Sequence, residues 1–111
     1  MIISWTDWKA MPAPEDCRLI SGPVGPGAYQ IMNKQTQELI QFGEAVECQK
    51  RMKSLYPKPY GVGTRNNENK RIYILENWRN LVYRTTAVNT KAEAVNIDRY
   101  LKSFNNHKFN T

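Results

Sequence analysis

The sequence predicts an α+β domain: a small three-stranded antiparallel sheet flanked by helices. Three observations predict it. Tyr29–Met32 and Leu39–Phe42 have strand composition, and the polar, turn-prone Asn33-Lys34-Gln35-Thr36-Gln37 between them makes the pair a β-hairpin. Leu81-Val82-Tyr83-Arg84-Thr85-Thr86, rich in β-branched and aromatic residues, supplies a third strand. Val46–Tyr56 and the segment after Thr90 repeat apolar residues at helical spacing.

Residues 1–23 read as an N-terminal extension that packs on a core formed by residues 24–111. Trp5 and Trp8 would share one side of a short helix or fold down as a flap. Pro12 and Pro14 break the segment, and Glu15-Asp16 would open a helical turn through Cys17-Arg18-Leu19-Ile20. Ser21 to Gly27 is a loop by composition. After the hairpin, Gly43 is expected to end the second strand. In the following helix Ala45, Cys48, Met52 and Leu55 form the buried stripe, and Arg51 borders it. A guanidinium against an apolar face needs a partner or a task, because burying it unpaired is costly. A salt bridge to Asp98 would be one answer and a bound phosphate another.

Pro57 to Arg65 is a loop, and Asn66 to Asn80 is ambiguous. Arg71-Ile72-Tyr73-Ile74-Leu75 has strand composition, whereas Ile72, Leu75 and Trp78 follow helical spacing. In the last helix Thr90 is the expected N-cap, with Glu93 reaching back to its amide. Ala94, Ile97, Leu101 and Phe104 make its buried stripe, and Asp98 lies at the stripe's edge. Asn105 to Thr111, which includes His107, is a polar tail.

At 111 residues the chain is one domain, long enough for a single core. Its start lacks the basic and long apolar regions of a signal peptide, and no apolar run would span a bilayer. A soluble cytoplasmic protein without a membrane partner is the expectation. Cys17 and Cys48 lack zinc-ligand spacing and read as buried, reduced thiols; His107 is the single histidine. Charge is uneven. Residues 1–49 carry three Lys/Arg against six Asp/Glu, residues 50–79 carry eight against two, and residues 80–111 carry five against two. The positive potential therefore sits in the middle of the chain, where a polyanion would bind.

Gly27-Ala28-Tyr29, then Gln41-Phe42-Gly43-Glu44-Ala45, then Arg51 eight residues after Gly43 together resemble the GIY-YIG nuclease superfamily, as a degenerate member. The resemblance covers roughly residues 24–110. It implies the order β-β-α-α-β-α and so favours a helix over Asn66–Asn80. It also implies a site. Tyr29 matches the first tyrosine, Gln41 stands where the second tyrosine or a lysine is usual, and Arg51 matches the helix arginine. Glu93-Ala94-Val95-Asn96-Ile97-Asp98-Arg99-Tyr100-Leu101 resembles the family's metal-ligand helix, which puts Asp98 at the ligand position with one methylene less than the usual glutamate. Lys108-Phe109-Asn110 resembles the closing motif, so Asn110 joins the implied catalytic set.

The resemblance implies an endonuclease that cleaves DNA with Mg²⁺ or Mn²⁺ and acts on a double-stranded substrate; the chain's compactness suits a phage or mobile-element protein in a bacterial or phage-infected cell. Lys50, Lys53, Lys58, Arg65, Lys70 and Arg71 would track the backbone, contacts that carry no sequence preference. Gln41 can neither act as a base nor supply charge, which leaves a second reading open. The same fold, catalytically silent, would hold nucleic acid or occupy a protein partner's nucleic-acid site, with Tyr56, Tyr60 and Tyr73 stacking or making contacts. A structural domain without a nucleic-acid role is the third reading.

Overall fold

The computed structural model describes residues 1–63 and 68–110. Its central strand, β2 (Gly27–Asn33), pairs antiparallel with β3 (Glu38–Ala45) on one side and β4 (Leu81–Ala87) on the other. Because β2 is flanked on both edges and covered on both faces, six of its seven residues are buried. The hairpin turn is made by Asn33, whose Oδ1 accepts the amides of Gln35 (2.9 Å) and Thr36 (3.2 Å). Gln37 closes it at φ 64°.

The sheet has four strands rather than three. Lys9–Ala10 forms a two-residue β1 that pairs with Tyr83 and Val82 of β4, giving the order β1-β4-β2-β3. Two residues are too few for alternation to show in the sequence; the pairing is a backbone event, extended by Met11 N to Leu81 O (3.0 Å) and Thr6 N to Thr85 O (2.8 Å). Trp5 and Trp8 are therefore on an extended segment and not on a helix. The helical turn after Pro12 is a 3-10 segment, Pro14–Leu19. Met11, Cys17 and Ile20 from this region enter the same buried cluster as Tyr29, Ile31 and Met52.

Two details of β3 depart from the expected pattern. The strand runs through Gly43 to Ala45 instead of ending at the glycine. Glycine is needed there because the Tyr29 ring crosses it: a Cβ at Gly43 would sit 2.5 Å from the Tyr29 hydroxyl. A bulge also falls at Ile40, since Ile31 pairs with Gln41 while Met32 pairs with Leu39. The extra residue lets Ile40 join the core with Ile31 while Gln41, opposite Ile31, lines the cleft described below.

Helix α1 (Cys48–Met52) is shorter than expected and tightens into a 3-10 turn, Lys53–Leu55. Its free N-terminal amides are met by loop carbonyls, Cys48 N to Gly25 O (3.1 Å) and Gln49 N to Pro23 O (2.8 Å). Cys48, Met52 and Leu55 are buried as the stripe predicted, whereas Ala45 ends β3 instead of joining the helix and is half-buried; both cysteines are free and buried. The ambiguous segment is a helix, α2 (Glu68–Asn77), followed by a 3-10 turn, Trp78–Asn80.

Helix α3 (Lys91–Ser103) lies on the opposite face of the sheet, where Ile97 and Leu101 pack with Ala28 and Phe42. Thr90 caps it by accepting the Glu93 amide at 3.2 Å. The Glu93 carboxylate bonds the Thr90 hydroxyl (3.2 Å) rather than its amide. Phe104 is 53% exposed and stacks edge-on against Tyr100, so the buried stripe ends at Leu101. The tail is not a free polar segment. Lys108 N and Phe109 N bond the carbonyls of Leu39 and Ile40, which covers the outer edge of β3 and buries His107.

Candidate active site

A polar cleft of about 230 Å³ opens where β2, β3, α1, α2 and α3 approach one another. Tyr29, Gln41, Arg51 and Asp98, from four separate elements, all line it, together with Gly43, Glu44, Ser54, Lys70 and Arg71. Each is positioned by a local feature already described. Tyr29 lies flat across Gly43, the bulge at Ile40 turns Gln41 inward, and the capped α3 sets Asp98 beside the buried Ile97. Arg51 projects from α1 and is exposed, with Cys48 and Met52 of the same helix anchored in the core.

Arg71 enters from the first half of α2. Its Nε donates to Ser54 O at 2.9 Å, and Gly63 leaves room for it, since a Cβ at Gly63 would collide with the guanidinium stem. Two atoms of the cleft residues are buried without any hydrogen-bond partner, Gln41 Oε1 and Arg71 Nη1. Buried polar atoms are paired in the great majority of cases, so an acceptor and a cationic donor left open in one cleft point to a ligand or water. The salt bridge considered between Arg51 and Asp98 is not formed among the described residues.

The cleft brings basic and acidic side chains together, Arg51, Lys70 and Arg71 with Glu44 and Asp98. Burial pushes the Tyr29 hydroxyl up to about 12, with the Arg51 charge opposing. Tyr29 is thus a neutral phenol at physiological pH, a hydrogen-bonding group rather than a resident base. Burial raises the Asp98 carboxyl above its ordinary 3.8, and the neighbouring Glu44 carboxylate adds to this, while Lys102, Lys70 and Lys91 work against it. Glu44 itself meets Lys91 Nζ at 3.2 Å. Two carboxylates close enough to repel lose that repulsion when a cation sits between them.

The remaining sequence-predicted residues divide. Asn110 does not line the cleft; its Nδ2 donates to Lys102 O (3.0 Å) and ties the tail to α3. Lys70 and Arg71, expected along the nucleic-acid backbone, line the cleft wall. Lys50 and Lys58 are exposed, Lys53 is half-buried, and Arg65 lies outside the described residues. Of the three tyrosines considered for stacking, Tyr56 is buried with its hydroxyl on Pro12 O (2.5 Å), and Tyr73 is half-buried and accepts from Asn33. Tyr60 is exposed. Glu44 and Ser54 were not foreseen; Glu44 directly follows the Gln41-Phe42-Gly43 motif, and that adjacency was the available signal.

Among the described residues, no group of three or more His, Cys, Asp or Glu side chains converges as a metal cage. Asp98, the nearby Glu44 and the unpaired Gln41 carbonyl in the same cleft are the oxygen donors that a cation entering it could contact. No protein-family model matches this sequence, and no curated protein or solved structure does so either. Any assignment of function stands on the cleft.

Proposed function

We propose that the chain is a GIY-YIG-type, metal-dependent endonuclease that hydrolyses phosphodiester bonds, with double-stranded DNA as its substrate. One observation carries the reading: Tyr29, Gln41, Arg51 and Asp98, scattered along the sequence, meet in a single polar cleft. The arrangement of charge suits the chemistry. Arg51, exposed at the cleft, neutralises a phosphoryl oxygen as negative charge builds in the transition state. Tyr29, neutral and held against Gly43, donates or accepts one hydrogen bond and orients the attacking water. Gln41 offers its unpaired carbonyl to the same water. Asp98, with Glu44, would hold a Mg²⁺ or Mn²⁺ ion. When bound, that ion supplies Lewis-acid polarisation of the phosphate.

A second reading is favoured by one specific feature. With Tyr29 a neutral phenol and Gln41 in place of a proton-accepting or cationic side chain, the described lining of the cleft offers only the Asp98 and Glu44 carboxylates and the Lys70 amine as proton acceptors. The same fold would then bind nucleic acid, or a partner's nucleic-acid site, without cutting.

Nicking of supercoiled plasmid with Mg²⁺ or Mn²⁺ separates the two. Metal-dependent nicking that disappears in Asp98→Ala and Arg51→Ala is the expected result. Tight, salt-sensitive gel shifts without nicking would replace the nuclease with the binding module.

A further inference from the structure

We infer that Arg71 is the buried phosphate-oxygen donor of the cleft, rather than one of the exposed charges that track a nucleic-acid backbone. The inference rests on reading the cleft as a phosphodiester site. Its Nη1 is buried, carries part of a full positive charge and has no partner. Removing such a group from water without an acceptor is expensive, so the arrangement persists only where an acceptor arrives. A solvated backbone-tracking cation would have no need of that burial.

The guanidinium is also held in place before any ligand binds. Its Nε donates to the Ser54 carbonyl at 2.9 Å, which fixes the plane of the fork and leaves Nη1 for a ligand. Gly63 makes the space for the stem, and any side chain there would push it aside. Arg51 differs on each count: it is exposed and belongs to another helix. A phosphate in the cleft would meet a preorganised guanidinium from α2 in the wall and an exposed one from α1 at the rim. The unpaired Gln41 Oε1 completes the match. It is an acceptor, so the occupant brings a hydrogen donor beside its oxygens, as a phosphate with an attacking water does.

Arg71→Lys, which keeps the charge and loses the fork, tests the role. The expected result is a fall in plasmid nicking on the order of 100-fold at saturating protein, with little change in duplex affinity. Gly63→Ala, which displaces Arg71 without removing it, lowers nicking to an intermediate level. Nicking by Arg71→Lys at the wild-type rate overturns the inference. So does a loss confined to affinity, with the salt slope reduced by about one, because that is the signature of a backbone contact. A readout independent of cleavage is the Arg71 Nε resonance of the wild type during titration with inorganic phosphate. A saturable shift, even from a protein that neither nicks nor binds duplex, upholds the Arg71 site while removing the nuclease reading. No shift from a protein that does nick removes Arg71 and leaves the nuclease.

Discussion

Tyr29 and Gln30 are neighbours on one strand, and the two faces they point to use their arginines in opposite ways. On the Gln30 side, Arg84 lies between the rings of Trp5 and Trp8, 4.6 and 4.5 Å from their centroids, and its Nε donates to Gln30 Oε1 at 2.8 Å. Gln30 Nε2 then donates to His107 Nε2 at 3.0 Å, and the His107 ring meets Phe42 edge-on. That orientation makes Nδ1 the protonated nitrogen of a neutral imidazole, and this buried Nδ1 is itself without a hydrogen-bond partner among the described residues. The arginine here is consumed by the protein itself, and the network joins the N-terminal segment, β2, β4 and the tail. On the Tyr29 side, Arg51 and Arg71 open onto a cleft, and Arg71 Nη1 and Gln41 Oε1 are unpaired. The paired Arg84 holds elements together, whereas Arg71 keeps an unpaired Nη1 at the cleft.

The comparison predicts that substitutions on one face cost activity and on the other cost stability. The largest effect is expected at Arg51→Ala, with nicking reduced on the order of 100- to 1,000-fold and urea stability changed by less than about 0.5 kcal/mol. Arg84→Ala is the mirror case. It strips the stacking partner from two tryptophans and unpairs Gln30, and should destabilise by about 2–3 kcal/mol while nicking per folded molecule is kept. If Arg84→Ala unfolds no more easily than wild type but stops cutting, the division between the faces is wrong.

A smaller effect is expected from His107. Burial holds it below its ordinary 6.5, so the folded state takes up a proton less readily than the unfolded chain. Its contribution is complete above that value and is lost as pH falls below it. Comparing denaturation midpoints at neutral and mildly acidic pH, His107→Gln should show a shallower loss than wild type; an unchanged slope would remove His107 from the network. Asp98→Asn sharpens the other side. The folded carboxyl is raised, so its ionised form costs stability at neutral pH, a cost that vanishes as pH falls through the folded value. Asparagine should abolish nicking and raise stability by less than about 0.5 kcal/mol, the carboxyl being only half-buried. A clear destabilisation would make Asp98 a structural residue.

Much of the cleft was legible because its residues sit at spacings that local structure converts into direction. Arg51 borders the Cys48–Met52–Leu55 stripe, and Asp98 borders the Ala94–Ile97–Leu101 stripe; both edges turned out to face the cleft. Arg71 was less legible, since nothing local distinguishes a cation in a cleft wall from one on a solvated helix. Asn110 was misplaced for a related reason. The tail's course depends on bonds to the β3 edge, which only the assembled sheet offers. His107 was misread as a tail residue on the same grounds.

The sequence by itself determined the elements whose cause is local. These are the Asn33 turn between two strands, the capped last helix, the β-branched third strand and the helical stripes that bury one side of α1 and α3. The tertiary structure alone decided the rest: the fourth strand at Lys9–Ala10, the bulge at Ile40, the burial of His107 and the approach of Arg71 to Tyr29. The reason is physical. A stripe or a cap is stabilised by residues a few positions apart, whereas edge pairing, bulge placement and convergence on a cleft depend on surfaces that exist only after the sheet has formed.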